Sequence, residues 1–589
     1  VGRASLGAVT TGSGLVAVGM NALGGITTGT TGTAVGFEAL KVATGNDNTA
    51  VGYQAGVAVS TGTANTAVGK SSMAATTTGS SNTALGFNSL DANTTGAANT
   101  AIGYGALGAA TEADNNVAVG VNALAANTSG TDNVAVGTGA GDVVTTGSDN
   151  TFIGDNTGGG TTTGSYNTAV GSGALITQTT ADANTAIGYK ALEANTSGTD
   201  NTALGFSALD ANSTGSDNTA IGDNALGANT TASFNTAVGA DALLAASTGQ
   251  RNAVVGYQAM KAATTGSDSA VVGAYAGLKV TTGIENTLIG YYSGSEVTTQ
   301  DYNTAIGAGA LQNNTAATNT AVGRSALFAN TTGTNNTAVG FSALDASTTS
   351  SDNTAVGYQA GVAVSTGANN TLVGNAAGDA VSTGSENTFI GDSAGGANTT
   401  ASYNTAVGSG CFEVNSTGAY CTAIGRNALS LNSTGNSNSA LGYGALTTNS
   451  TGESNTGVGF DALTGCTTAS NNTAMGKSSL GAVTTGSSNV GIGQATGASL
   501  TTGAYNVLIG QGVNVDGSTA EGQIVIGRNV ASGGNDSVRF GQAGNTLTIA
   551  LNGSTTSWTA ASDERLKENI EPAAAGLSFI NDLRPVTYN

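Results

Sequence analysis

A phrase of seventeen residues repeats along most of this chain of 589 residues. It reads TALGFSALDANSTGSDN at 202–218, TAIGDNALGANTTASFN at 219–235 and TAVGADALLAASTGQRN at 236–252. It runs from Val16 to about Asn529, roughly thirty times, and only Thr33–Asn48 and Thr304–Asn319 are one residue short. A fixed period of this size indicates a stack of repeated structural units. The function must therefore be one that a regular stack can perform.

The positions of the unit, numbered 1 to 17 from its first Thr, differ sharply in residue type. Position 3 is apolar, position 4 is Gly, position 7 is small and position 8 is usually Leu, as in Leu204, Gly205, Ala208 and Leu209. The remaining positions are rich in Asn, Thr, Ser and Gly, which favour tight turns. The pattern predicts two short strands, at positions 1–3 and 7–8, separated by a glycine at which the chain bends sharply or another backbone approaches closely. No apolar period of 3.6 residues indicates a helix in the repeats.

Stacking the units at the strand spacing of about 4.8 Å places each position above its counterpart in the next unit. The apolar residues at positions 3 and 8 are expected to form two core columns. Where position 8 is Gly, position 11 usually becomes apolar, which predicts that the two positions compete for one core site. Examples are Gly56 with Val59, Gly141 with Val144, Gly277 with Val280 and Gly361 with Val364, whereas Gly158 with Thr161 and Gly395 with Asn398 are exceptions.

The alanine at position 2 lies on the strand face opposite position 3, because side chains alternate along a strand. A column of small residues such as Ala203, Ala220 and Ala237 allows backbones to approach closely, which predicts a contact between chains. The fold class expected is all-β, an elongated β-solenoid (a parallel β-roll or β-helix) of about thirty coils, associated as a homotrimer. Such a stack would be about 150 Å long.

The charge of the chain excludes some functions. The net charge is −21, or 3 × −21 for a trimer, so nucleic acid is not an expected partner. Acidic residues near the turns read as a solvated rim or, alternatively, as a weak calcium ladder of paired coils, at Asp132 with Asp149 and Asp200 with Asp217. The chain has no His and only three Cys, so neither a metal site nor a cofactor is predicted. We expect Cys411 to be a buried thiol, and Cys421 and Cys466 to lie in turns.

Aromatic residues recur at position 5, as in Tyr53 and Phe206, and at position 16, as in Tyr166. They either form a stripe that contacts a receptor or cover a corner of the coil. Sequences such as those at Asn93 and Asn212 match the N-glycosylation pattern, although turn chemistry in an Asn- and Thr-rich repeat explains them as well. Neither a membrane span nor a signal peptide is predicted.

The sequence changes character twice near its C-terminus. Ser537–Ala560 alternates as β-strands do, with a turn expected at Asn552–Gly553. The segment 562–589 then brings charge, helix formers and both prolines, with a helix expected at Ala573–Leu583. The domains expected are a repeat solenoid at 1–529, a β-rich neck at 530–561 and a truncated, partly helical domain at 562–589.

Two resemblances extend this interpretation. The phrase N-T-A-V-G-x-x-A resembles the head repeats of trimeric autotransporter adhesins, which implies a left-handed parallel β-roll of three chains. The C-terminal segment resembles the start of the endosialidase-type intramolecular chaperone, a self-cleaving domain of phage tailspikes and fibres. The residues that carry this second resemblance are Ser562, Asp563, Arg565, Leu566, Lys567, Ile570 and the run Leu583–Tyr588.

The second resemblance implies an assembly reaction. In that family the chaperone assembles three chains and then cuts itself off between Ser and Asp. Carried over, Ser562 is the nucleophile, Lys567 its base and Asp563 the first residue released. No other enzymatic activity is predicted.

The function expected is a trimeric surface fibre, a phage or viral tail fibre on the virion that attaches to a glycan or an outer surface protein of the host cell. A bacterial cell-surface adhesin or structural filament is the alternative. A glycan depolymerase would require paired acids in a groove, and the coils have no insertion that would provide one. An ice-binding solenoid, with Thr columns at positions 1 and 12–13, is the remaining alternative.

Overall fold

The computed structural model describes residues 1–551 and 558–560. The chain divides into two compact units, Val1–Val373 and Gly374–Asn589. Within the described ranges the regular elements are all β-strands and no helix occurs. Each unit is a parallel β-solenoid with a repeat of seventeen residues, so the all-β solenoid fold class is confirmed. The helix expected at Ala573–Leu583 lies outside the described residues.

Each coil contributes one strand, and the strands of a unit follow one another in chain order. The first unit contains β1 Leu15–Val18, β2 Gly32–Val35, β3 Asn48–Val51, β4 Thr66–Val68, β5 Thr83–Leu85, β6 Thr100–Ile102, β7 Val117–Val119, β8 Val134–Val136, β9 Thr151–Ile153, β10 Thr168–Val170, β11 Thr185–Ile187, β12 Thr202–Leu204, β13 Thr219–Ile221, β14 Thr236–Val238, β15 Ala253–Val255, β16 Ala270–Val272, β17 Thr287–Ile289, β18 Thr304–Ile306, β19 Thr320–Val322, β20 Thr337–Val339, β21 Thr354–Val356 and β22 Thr371–Val373. The second unit contains β23 Thr388–Ile390, β24 Thr405–Val407, β25 Thr422–Ile424, β26 Ser439–Leu441, β27 Thr456–Val458, β28 Thr473–Met475, β29 Val490–Ile492, β30 Val507–Ile509, β31 Ile524–Arg528, β32 Ser537–Gln542, β33 Asn545–Ala550 and β34 Trp558–Ala560.

The strands at the end of the second unit pair differently from the coils. β31 and β32 are parallel, whereas β32 pairs with β33 and β33 with β34 in antiparallel register. The strands expected within Ser537–Ala560 are therefore present. The turn expected at Asn552–Gly553 lies outside the described residues.

The coil has one strand where the sequence predicted two. Positions 1–3 form the strand, and positions 7–8 belong to a run of turns. In most coils the residues at positions 6, 8 and 16 adopt positive φ, and most of them are not glycine. In the coil at 202–218 they are Ser207 at +48°, Leu209 at +55° and Asp217 at +58°. Left-handed backbone at position 8 cannot continue a strand, so the second predicted strand is wrong.

The glycine at position 4 lies where two coils approach most closely. Gly205 has a φ of +148°, and a Cβ built on it would lie 2.3 Å from the carbonyl oxygen of Gly222 in the next coil. No side chain can occupy that space, because the obstruction is backbone rather than a movable side chain. The predicted close approach of backbones at this position is thus confirmed.

The faces of the strand are reversed relative to the sequence prediction. Ala203, Ala220 and Ala237 at position 2 are fully buried within the single chain, whereas Leu204 at position 3 is 43% exposed. The interior of the coil at position 2 therefore holds the small residue, and the larger aliphatic residue points outward. The predicted core column at position 3 and the predicted contact between chains at position 2 are both wrong.

The leucine at position 8 fills the core, and the predicted competition with position 11 is confirmed. Leu209 and Val59 are both fully buried. A Cβ built on Gly56 would lie 3.0 Å from Leu40 of the preceding coil and 3.3 Å from Val59 at position 11 of its own coil. The valine therefore occupies space beside the missing leucine.

In the two exceptions to that rule, a large side chain at position 2 fills the core site. Phe152 replaces the usual alanine, is fully buried, and lies 2.5 Å from the Cβ position of Gly158 and 2.8 Å from that of Gly141. Phe389 does the same beside Gly395, at 2.3 Å. One core volume is thus shared among positions 2, 8 and 11, and any of the three can supply the side chain that fills it.

A column of buried asparagines at position 17 joins the coils through their side chains. Asn218 is fully buried, and both its backbone N–H and its Nδ2 donate to Oδ1 of Asn201, one coil earlier, at 3.1 Å. Its Nδ2 also donates to the carbonyl of Ala232 at 2.9 Å. Because each amide both accepts and donates, the column satisfies polar groups that would otherwise be buried without partners.

The shared core volume predicts compensation between two substitutions. Phe152→Ala empties the space beside Gly158 and should lower the free energy of unfolding by about 3–5 kcal/mol. Gly158→Leu alone forces a side chain against the Phe152 ring and should also destabilise. The double variant has the Ala and Leu of an ordinary coil, so it should be more stable than either single variant in urea unfolding. Phe206→Ala, at an exposed position, is the control, and simple addition of the two single effects would contradict the shared volume.

Candidate functional surface

The outer face of the strands carries a column of aliphatic side chains. Positions 1 and 3 both point away from the buried residue at position 2, so each coil presents a Val, Ile, Leu or Met at position 3 and most coils a Thr at position 1. Leu441 is 49% exposed and Met475 45% exposed. The parallel register places each residue of this face directly beside its counterpart in the adjacent coil, as at Leu204 and Ile221. We call the position-3 side chains of a unit the aliphatic column.

The aromatic residues at position 5 are exposed and stacked rather than tucked against the coil. The rings of consecutive coils lie nearly parallel, with centroids 5.1 Å apart for Phe37 and Tyr53 and 5.1 Å apart for Tyr443 and Phe460. Offset or parallel stacking at this separation stabilises the pair modestly. The same geometry joins Phe87 with Tyr104, Tyr189 with Phe206 and Phe341 with Tyr358.

Lysine and arginine interrupt this aromatic column at several coils. Nζ of Lys70 lies 6.0 Å from the ring centroid of Tyr53 on one side and 5.2 Å from that of Phe87 on the other. Lys477 lies 5.5 Å from the Phe460 ring and Arg324 5.8 Å from the Phe341 ring. The side chains at position 5 are called the position-5 column below.

Acidic residues are dispersed, and none of the described ones builds a metal site. No group of three or more His, Cys, Asp or Glu side chains within 1–551 is arranged to hold a metal ion. Burial raises the pKa of the Asp210 carboxyl, whereas the hydrogen bond from Arg251 lowers the pKa of Asp268. The proposed calcium ladder at Asp132 with Asp149 and Asp200 with Asp217 therefore gains no support from the geometry.

The asparagines of the sequences that match the N-glycosylation pattern have a structural role. Asn93 and Asn212 are fully buried. Nδ2 of Asn212 donates to Oδ1 of Asn195 and to the carbonyl of Gly215, both at 2.9 Å. An amide held in this way is inaccessible to a glycosyltransferase in the folded coil, so turn chemistry is the correct interpretation of these sequons.

All three cysteines are free and buried. Cys411 is buried as predicted, and Cys421 and Cys466, which we expect in turns, are buried as well. Cys421 replaces an asparagine of the position-17 column, where its Sγ accepts from the backbone N–H of Asn438 at 3.4 Å. Cys466 stands at position 11, and its Sγ lies 3.6 Å from Oδ1 of Asn449. Burial raises the pKa of the Cys411 and Cys466 thiols to about 12 and that of Cys421 to about 11.

The residues implied in self-cleavage, Ser562, Asp563 and Lys567, lie outside the described residues. A family model described as the chaperone of endosialidase matches residues 562–589. The match falls on the segment whose resemblance to that chaperone rests on Ser562–Ile570 and Leu583–Tyr588. No curated protein matches the chain. Among the described residues, no helix has the length and apolar character needed to cross a membrane.

The exposed columns were only partly visible in the sequence. The sequence indicates that the aromatic stripe at position 5 is either a contact surface or the cover of a corner, and the structure shows most of its rings exposed. The outward aliphatic column is not predicted, because apolar residues in this pattern are expected in the core. The residue size at position 2 is the signal that position 2 faces the core, since Phe152 and Phe389 appear only where neighbouring positions 8 are Gly.

The raised thiol pKa values predict that the cysteines of the folded protein react slowly with alkylating reagents, which attack only thiolates. A pH of 8 lies at least three units below the pKa of each thiol, so almost no thiolate is present in the folded chain. Iodoacetamide should therefore label no cysteine in the folded chain and three in guanidinium chloride. Because burial keeps the folded thiols protonated above the ordinary thiol pKa of 9.0, stability should fall as the pH rises through 9 towards 11. Labelling monitored by mass spectrometry checks this, and rapid labelling at pH 8 would contradict it.

Proposed function

We propose that this chain is the subunit of a homotrimeric surface fibre that extends from a particle or cell and attaches it to a host-cell receptor. A tail fibre of a phage or virus is the form favoured by the chaperone-like segment, and a cell-surface adhesin is the alternative. The two share the solenoid and differ in what holds the fibre.

The aliphatic column is the observation that carries this proposal. A series of Val, Ile, Leu and Met side chains on consecutive coils is an apolar surface that favours burial against a partner. Such a partner must present apolar groups at the same repeat, coil after coil. Another copy of this chain meets that condition throughout, and three copies would enclose their columns around one axis. The contact between chains is thus assigned to position 3 rather than position 2.

The C-terminal match supports an assembly step. In the proposed organisation, residues 1–529 form the solenoid, 530–561 the neck and 562–589 the beginning of the chaperone. The chaperone brings three chains together, after which Ser562, assisted by Lys567 as base, initiates cleavage before Asp563. A serine requires a nearby base to attack at neutral pH, and Lys567 is the candidate in this segment.

Trimer formation through the aliphatic column predicts the effect of placing charge there. The wild-type chain should have a solution mass near 3 × 56.4 kDa. Combining Leu204→Asp, Ile221→Asp and Val238→Asp buries three carboxylates per chain at the contact, so the mass should fall to 56.4 kDa with an unchanged circular dichroism spectrum.

The matched control places the same charges at exposed position 13, through Thr214→Asp, Thr231→Asp and Thr248→Asp. That variant should keep the wild-type mass in sedimentation equilibrium. A monomeric wild-type chain, or equal dissociation of both variants, would refute the assignment of the contact.

Self-cleavage gives a separate prediction for the C-terminal segment. Expression of a chain that includes the complete chaperone should release a fragment beginning at Asp563, identified by N-terminal sequencing. Ser562→Ala should abolish release, and Lys567→Met should slow it at least about 100-fold, in the range usual for a general base. Ser578→Ala, in the same segment, is the control. Release by the Ser562→Ala variant at the wild-type rate would exclude Ser562 as the nucleophile.

Ice binding is a second candidate, and the outward face gives it one specific observation. Thr at position 1 and an aliphatic residue at position 3 form two regular columns on the same face of a parallel sheet, as in Thr219 and Ile221. An uncovered face of this kind could order water. Position 12 does not contribute, because Thr196 Oγ1 donates to the carbonyl of Ser213 in the next coil. A monomer with thermal hysteresis would favour ice binding, and a trimer without it would favour the fibre.

A further inference from the structure

The cations of the described residues fall into two groups by position in the coil. Outside position 5, every Lys or Arg of the coils pairs with a carboxylate at 2.5–3.0 Å. These pairs are Lys41 with Glu38, Lys190 with Glu193, Arg251 with Asp268, Lys261 with Asp241 and Lys279 with Glu296. Local carboxylates therefore already neutralise these charges.

The cations at position 5 have no such partner. Within residues 1–551, none of them makes an ion pair, although the chain carries 36 acidic residues against 15 basic ones. The cations without a carboxylate partner thus all fall at one position of the coil, on a surface that is acidic overall. The group consists of Arg3, Lys70, Arg324, Arg426, Lys477 and Arg528.

Four of these cations, Lys70, Arg324, Arg426 and Lys477, stand next to coils that carry an aromatic ring at position 5. Five consecutive coils carry Phe37, Tyr53, Lys70, Phe87 and Tyr104, with the lysine between two stacked pairs. In the second unit, Arg426 and Lys477 stand one coil before and one coil after the stacked rings of Tyr443 and Phe460, and Lys477 contacts the latter ring. Each patch thus combines apolar ring surface with positive charge that is open to a ligand.

We propose that the patches of the position-5 column bind an acidic polysaccharide. This inference rests on the proposed attachment function and names the chemical class of the receptor. Lysine and arginine would hold the carboxylates or sulfates of the polymer, and the tyrosine and phenylalanine rings would contact the C–H faces of its sugar rings. A polymer that carries a charge on each repeat can meet successive coils, because their position-5 side chains recur along the stack.

The overall charge restricts how such a polymer can bind. A chain of net charge −21 repels polyanions at long range. Binding of a polyanion therefore requires local, directed contacts rather than general attraction. Single-stranded nucleic acid also stacks on aromatic rings beside cations, so it is the competitor that the experiment must exclude.

The test compares two variants of the full chain that lose the same charge. One combines Lys70→Gln, Arg324→Gln, Arg426→Gln and Lys477→Gln at position 5, and the other combines Lys41→Gln, Arg251→Gln, Lys261→Gln and Lys279→Gln in the ion pairs. A second comparison sets Tyr53→Ala with Tyr443→Ala against Tyr166→Ala with Tyr505→Ala, exposed tyrosines of position 16. Binding to immobilised polygalacturonate, dextran sulfate, neutral dextran and poly(dT) is measured by interferometry.

Wild type should bind at least one acidic polysaccharide and neither dextran nor poly(dT). The preference between polygalacturonate and dextran sulfate identifies carboxylate or sulfate as the recognised group. The position-5 charge variant should lose affinity by about tenfold or more, and the ion-pair variant by less than about threefold. The position-5 tyrosine variant should likewise weaken binding more than its position-16 control.

Equal binding to neutral dextran, tighter binding to poly(dT), equal loss in both charge variants, or no binding to either acidic polymer would each overturn the inference. The solution mass and circular dichroism of the same samples show whether the chains are folded and assembled. A trimer that binds no acidic polymer refutes the inference and leaves the fibre intact, whereas a monomer refutes the fibre itself.

Discussion

Contacts between each coil and its neighbours, at a fixed offset of seventeen residues, are the constraint on which the rest of the structure depends. The carbonyl oxygen of Gly222 occupies the space that a side chain on Gly205 would need, and the amides of Asn201 and Asn218 bond side by side in the interior. Because the offset is constant, each kind of side chain forms a column. The sequence of a single coil therefore determines which side chains form the core, the buried hydrogen bonds and the surface, and the stack repeats that arrangement.

The period, the turn residues and the close approach at position 4 could be predicted from the sequence, because each reflects a local demand on the backbone. The inward face could not be assigned from alternation, which separates the two faces of a strand without saying which is inside. Residue size suggests that Leu204 faces the core and Ala203 a neighbouring chain, whereas Ala203 is buried within the single chain and Leu204 is exposed. The narrow interior at position 2 explains this, since it usually holds alanine and holds phenylalanine only where neighbouring positions 8 are Gly, as at Phe152.

For the candidate surface too, features set by one coil could be predicted and features set by contacts between coils could not. The aromatic residues at position 5 could be recognised by their recurrence, but their stacking depends on coils aligned in space. The unpaired state of Lys70 and Lys477 could not be inferred, because the partners of a cation in this fold come from other coils as often as from its own. Lys279 and Glu296, for example, meet across one coil. The aliphatic column and the position-5 column consequently separate two roles, the first suited to association between chains and the second to a soluble ligand.

The uniformity of the coils also has a consequence for inheritance. Since neighbouring coils meet through nearly the same contacts everywhere within a unit, removal or insertion of seventeen residues restores the same junction that it interrupts. The identical sequences TAVGYQAGVAVSTG that begin at Thr49 and Thr354 show that copies of one coil recur within the chain. Length in this molecule is thus a quantity that unequal crossing-over can change in whole steps, with no new interface to evolve.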